Sequence, residues 1–185
     1  MHVTSCITDL NAVAALIQSD FVTRGDALWE DVEQVGLRIN PLTHRLFDQP
    51  GEPAVSTHFT VISKALRLGA IAWIIWMKRR CRSYPGTATA YVSQLLSLLS
   101  EQNEWSKTST NSDFLVLRLW LLVLCGISSS GPAERANAVD MIAHEMQQQG
   151  LDTWHQVMMR SRQMPWVSVF EAPCVELEGH IQDAL

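Results

Sequence analysis

Ser112–Leu185 reads SDFLVLRLWLLVLCGISSSGPAERANAVDMIAHEMQQQGLDTWHQVMMRSRQMPWVSVFEAPCVELEGHIQDAL. Its first segment, Phe114–Cys125, is apolar at every position but Arg118. A run this apolar predicts a helix buried on all sides, since a surface helix would show a polar stripe at the 3.6-residue period. Broken by Arg118, it falls short of the roughly 20 residues a membrane span needs. Ser112 or Asn111 can cap it, Asp113 suits the positive end of its dipole, and Gly126 with Ser128-Ser129-Ser130-Gly131 is expected to end it. Pro132 fits the first turn of a following helix whose buried stripe is Val139, Ile142, Ala143 and Met146, with Gly150 just past its end. Asp152 is the expected cap of a helix over Thr153–Gln163. Pro165 breaks that helix, and Glu171 or Ala172 opens the last one.

The same grammar extends upstream. Leu10, Val13, Ala14, Ile17 and Phe21 are at helical spacing, with Thr8 or Asp9 as the expected cap. Gly25 interrupts, and Ala27–Ile39 is a second helix that Asn40-Pro41 should stop. The loop Gln49-Pro50-Gly51-Glu52-Pro53 divides an N-terminal helical segment, residues 1–53, from a main helical domain, 54–185. A helix from Ser56 or Thr57 to about Arg82 ends in Lys78, Arg79, Arg80 and Arg82, and Tyr84-Pro85-Gly86 closes it. Leu68–Met77 within it is a second apolar run too short to span a membrane. Thr89–Gln102 buries Val92, Leu95, Leu96 and Leu99, and Asn103–Asn111 is a polar loop. The expected fold is an all-α bundle of about seven to eight helices in a single domain, without repeats or low-complexity tracts.

Composition narrows the function. Of the 185 residues, 47% are hydrophobic and 18% charged, which is enough to build a core and excludes a mainly disordered chain. A net charge of -5 gives no bulk attraction to phosphate backbones, so direct nucleic-acid binding is not expected. Met1–Thr8 has no basic and long apolar leader pattern, and no membrane partner is expected. Cys6, Cys81, Cys125 and Cys174 are scattered without metal-ligand spacing and are expected to be reduced, buried thiols in a cytoplasmic protein. Neither a metal nor another cofactor is implied. The common catalytic motifs, among them the nucleophile elbow, the phosphate loop, the paired-histidine zinc helix and the dinucleotide fingerprint, are missing.

Several local patterns, taken in order, resemble a known family. They are Ala65-Leu66-Arg67-Leu68-Gly69-Ala70, Leu117-Arg118-Leu119-Trp120-Leu121-Leu122, Cys125-Gly126-Ile127 with Gly131-Pro132-Ala133-Glu134-Arg135, Gly150-Leu151-Asp152-Thr153-Trp154, Pro165-Trp166-Val167 and Ala172-Pro173-Cys174-Val175-Glu176-Leu177. Together they resemble the C-terminal helical part of the fungal-specific transcription factor domain, the regulatory region of zinc binuclear-cluster regulators, over roughly residues 56–185. The chain begins at Met1 without a zinc cluster, a basic linker or a coiled coil, so the expectation is a standalone relative. Small standalone relatives occur in fungal secondary-metabolite clusters, and the resemblance implies a polyketide cyclase that closes a lactone or α-pyrone ring by attack of an enol oxygen on an acyl carbonyl. The other reading is a regulator-like domain that binds a ligand or partner without its own DNA-binding module, and it would be nuclear. Partners implied are a small polyketide or a synthase carrier domain, with a homodimer left open.

A cyclase needs a base, a cation for the developing oxyanion and a dry aromatic cavity. Glu171 is the expected base, because a carboxyl group against aromatic rings gains proton affinity, and His58 is the reserve. Arg118 or Arg67, set among leucines, would supply positive charge, with Arg118 expected to point into a cavity near Trp120 or Trp166 and to tolerate replacement by leucine. Its carboxylate partner, if it has one, would be Glu104 or a residue of another helix. Trp73, Trp76, Trp120, Trp166 and Met158 would line the substrate site. Each has a structural alternative: ion pairing or snorkelling for Arg118, a surface or interhelix salt bridge for Arg67, a first-turn polar residue for His58, helix-start acid placement for Glu171, and core packing for the tryptophans and Met158. The run from Lys78 to Arg82 is a solvated helix end or a dock for an acidic partner such as a carrier domain.

Overall fold

A computed structural model of the chain describes residues 3–47, 58–82, 88–101, 105 and 112–183; the side chains of residues 3, 4, 47 and 58–60 are not among them. The described residues form an all-α bundle. Its elements are α1 (Val3–Arg24), a 3-10 segment (Gly25–Glu30), α2 (Val32–Phe47), α3 (His58–Arg80), α4 (Thr89–Ser100), α5 (Ser112–Ser128), α6 (Pro132–Gln149), α7 (Trp154–Ser161), a short 3-10 turn (Ser168–Phe170) and α8 (Glu171–Gln182). Among the described residues there is no strand, and no helix is long and apolar enough to cross a membrane.

Helix α5 is the hub. Residues 117–128 are all buried, as its apolar run demands, and α3, α4, α6, α7 and α8 pack around it. Helix α3 packs against α4, α5, α1 and α2, so residues of α1 and α2 belong to the same core as the rest of the bundle. Arg45 pairs with Asp9 at 2.8 Å and Arg38 with Asp20 at 3.3 Å between α1 and α2. Gln18 of α1 accepts a hydrogen bond from the Ser168 backbone N–H at 2.8 Å, joining the two ends of the chain.

Several expected boundaries move. Helix α1 starts at Val3, so Thr8 and Asp9 lie inside it. Asn40-Pro41 does not stop α2. Val35, Ile39, Leu42 and Leu46 form one buried stripe at spacings of four, three and four, and burial of the last two outweighs the hydrogen bond that Pro41 forfeits. The carbonyl left over is that of Leu37, an exposed residue. Helix α2 is opened by Asp31, whose carboxylate accepts the Gln34 N–H at 3.0 Å.

Gly126 sits within α5 and ends nothing. A Cβ there would meet the methyl groups of Leu177 at 2.7 and 2.9 Å, so glycine is what lets α8 lie against α5. Gly150, by contrast, ends α6 as expected, in the left-handed region at φ 62°, and Leu151 N–H bonds the Met146 carbonyl at 2.8 Å behind it. Thr153, not Asp152, caps α7 through a reciprocal box with Gln156, and α7 ends at Ser161. Trp105, in a segment expected to be a polar loop, is buried, and its indole donates to the Leu98 carbonyl at 3.1 Å. Ser56, Thr57 and Tyr84-Pro85-Gly86 lie outside the described residues.

Candidate functional site

Glu171, Trp166 and Met158 come together where α7 and α8 face each other. The Thr153 cap sets the start of α7, and its period turns Trp154, Val157, Met158 and Ser161 inward, leaving His155, Met159 and Arg162 outward. Pro165 and the 3-10 turn then bring Glu171 back alongside. Arg162 donates to both of its oxygens, at 3.1 and 2.6 Å, and the Trp166 indole N–H donates to one of them at 3.0 Å. Both oxygens are therefore occupied. The shallow groove beside them, about 220 Å³, is walled by Trp154, Met158, Glu171, Cys174 and Val175. An exposed apolar group borders it, Val175, 68% accessible, and His155, Arg162 and Glu178 complete the lining.

The aromatic residues pack on one another. Phe170 takes Trp73, Trp76 and Trp166 at centroid separations of 6.2, 4.8 and 5.2 Å, all in tilted edge-to-face contacts. Trp73, Trp120 and Phe170 are fully buried, and the Trp120 N–H is bound to the Pro165 carbonyl at 3.2 Å. Only Trp76 and Trp166 of this set are half-buried.

Arg118 lies elsewhere. Its guanidinium pairs with the carboxylate of Glu145 on α6, donates to the Leu99 carbonyl on α4 at 3.2 Å, and lies 6.0 Å over the Trp105 ring. Arg118 and Trp120, two residues apart on a helix, serve opposite sides of α5, so Arg118 does not face Trp166. Glu145 is fully buried. Its second oxygen accepts from Gln149 at 2.6 Å, and Gln149 in turn accepts from Arg160 of α7 at 2.5 Å. Burial pulls the Arg118 pKa below its ordinary value, and Glu145 offsets the cost of keeping the charge. This polar chain is the part that sequence reasoning missed. The period held the signal: Ala138, Ile142 and Glu145 follow one another at four and three residues, which sets Glu145 on the buried stripe.

Arg67 joins neither cluster. Arg67 is half-buried on α3 with no ion pair among the described residues, and the side chain of His58 lies outside them. All four cysteines are free and buried. Burial pushes the thiols of Cys6 and Cys174 up to about 12 and that of Cys81 up to about 11, and raises Cys125 too, so none is a ready thiolate at neutral pH. Among the described residues no group of His, Cys, Asp or Glu side chains is placed to hold a metal ion. No family model matches the chain, and no curated protein and no solved structure matches it.

Proposed function

We infer that the chain is a non-catalytic, regulator-like domain that binds a ligand or partner in the α7–α8 groove and makes no DNA contact of its own. The observation that carries this reading is the state of its charged groups. Arg118 is closed off by Glu145, and both oxygens of Glu171 are held, while the groove exposes Val175 beside the Arg162–Glu171 pair. Such a groove suits a molecule with an apolar body and a charged group that can exchange into the surface pair, because a half-exposed pair is cheap to open. The four buried free cysteines support a reducing compartment, cytoplasm or nucleus.

The test is titration with an anionic naphthalene dye followed by fluorescence. Binding is expected to saturate and to weaken in Val175→Asp and Arg162→Ala variants whose circular dichroism is unchanged. Equal binding by wild type and both variants would remove the groove from this role. The meeting of Glu171, Trp166 and Met158 in one place favours a second reading, the polyketide cyclase. There Glu171 would leave Arg162 and take the enol proton as the enol oxygen bonds the thioester carbonyl carbon, then give that proton to the thiolate that departs as the lactone closes. Under the first reading, a linear triketide thioester gives no lactone above the buffer rate. Lactone formation that disappears in Glu171→Gln would install the second.

A further inference from the structure

The basic run at the end of α3 has no part in that groove, yet it borders another. Between the 3-10 segment Gly25–Glu30 and the last turn of α3 lies an open groove of about 580 Å³, walled by Trp29, Arg80 and Arg82 with Asp26 and Glu30 on its rim. Trp29 is 6% exposed, and its indole N–H has no acceptor among the described residues. A buried donor left unpaired loses its bond to water and gains none in return. Trp73 shares that lack of an acceptor, but it sits in the closed core. Trp29 forms part of a groove wall, and its N–H lies covered there, so a shift of the ring brings it to an acceptor that an incoming molecule supplies.

Two cations stand at the same groove. Arg80 holds Asp26 only loosely, at 3.4 Å, and the Asp26 side chain is 81% exposed, so water or another anion competes for the guanidinium. Arg82 forms no ion pair among the described residues. It is the non-glycine residue with positive φ, at 54°, among the described residues, and its N–H bonds the Arg79 carbonyl at 2.9 Å. A left-handed position that ordinarily favours glycine or asparagine thus carries an arginine. The negative end of the α3 dipole accounts for basic residues in general. It does not account for guanidinium groups beside an orphaned N–H.

We propose that this groove is a carboxylate-binding site, in which Arg80 and Arg82 hold the anion, the Trp29 N–H donates to it, and Asp26 is displaced from Arg80. Guanidinium suits carboxylate because its planar fork matches both oxygens. The carboxylate comes from either a small free acid or an acidic side chain of a partner protein. The site is separate from the α7–α8 groove and does not depend on the function assigned there.

Indole N–H signals of the 15N-labelled protein supply the test, with the Trp29 signal identified by its absence in Trp29→Phe. Glutarate and a glutamate-rich dodecapeptide are titrated separately at constant ionic strength. The Trp29 signal should shift saturably with at least one of them. In Arg80→Ala/Arg82→Gly, affinity should fall by about tenfold or more, the loss expected for removing charge-assisted hydrogen bonds. Glycine takes the left-handed backbone of residue 82 without strain, so that variant keeps its fold. Peptide binding well above glutarate binding assigns the carboxylate to a protein partner; equal or better glutarate binding assigns it to a free acid. A Trp29 signal that neither probe moves, or shifts of equal size in the double variant, would overturn the site.

Discussion

The chain uses arginine, glutamate and tryptophan together twice, with opposite exposure to water. In the first set, Arg118 and Glu145 are 8% and 0% exposed, and Trp105 lies over the guanidinium. In the second, Arg162 and Glu171 are 43% and 41% exposed, and Trp166 donates its N–H to the carboxylate. Both sets are tied to α7, through Arg160 in its last turn and Arg162 just beyond. The residue types are the same, so the difference in role comes from water. Buried charges have no alternative partner and make the first set an obligate part of the fold. Exposed charges can exchange with solvent or a ligand, which leaves the second set open to function.

The largest test of this contrast is Arg118→Met. It strands the Glu145 carboxylate in the core and should lower the unfolding free energy by about 3–5 kcal/mol in urea denaturation. The stable Arg118→Leu variant expected from the sequence is not foreseen once Glu145 is known to be its partner. A loss below about 1 kcal/mol would mean that water reaches the pair and would erase the distinction. In Arg118→Met/Glu145→Leu most of the loss should return, with a coupling of about 2 kcal/mol or more, because apolar groups of similar size replace a buried pair at little cost.

A second contrast of burial involves one residue type. Gly126→Ala forces a methyl into Leu177 and should cost about 1–3 kcal/mol by overpacking. Gly179→Ala in α8 meets nothing within 4 Å and should gain up to about 1 kcal/mol from helix propensity. Paired thermal melts read both, and equal effects would place Gly126 in a looser contact than the structure gives it. Arg162→Ala comes next, at below about 1 kcal/mol, and that small loss should vanish in molar salt. The Arg118 loss should persist there, since buried pairs are little screened.

How much of this was legible in the sequence follows the same line between local and long-range physics. The all-α bundle, the buried α5, the stripe of α4 and the Gly150 terminus all follow from period and turn chemistry within a few residues. Pro41 failed as a stop because burial of Leu42 and Leu46, decided by distant helices, outweighed a local rule. Gly126 failed for the same reason: its partner Leu177 lies far along the chain, and no neighbour in sequence announces it. Arg118 was recognisable as a buried cation in need of a carboxylate, and Glu145 was hidden only because a charged residue at a stripe position is ordinarily taken as surface. The Glu171 cluster was half visible. Glu171 and Trp166 are near in sequence, but Arg162 takes its place only once Pro165 and the 3-10 turn fold the chain back.

The smallest expected effect concerns a third pair, Arg24 with Asp31 at 2.9 Å, on the open side of α2. The Asp31 pKa is lowered, first by the Gln34 N–H that its carboxylate accepts and then by the Arg24 side chain. A carboxylate whose pKa is lower folded than unfolded stabilises the fold while it is charged. That contribution is complete above the unfolded value of about 3.9 and is lost as pH falls through the folded value. Asp31→Asn keeps an oxygen for the cap and gives up the charge, so it isolates the electrostatic part. The variant should be slightly less stable than wild type from pH 7 down to about 5, by less than Arg162→Ala, and the gap should close below about pH 4. A gap that stays constant through acid would assign the whole of Asp31's contribution to cap geometry. The Arg24–Asp31 pair would then differ from Arg118–Glu145 in kind, since it would not depend on charge at all.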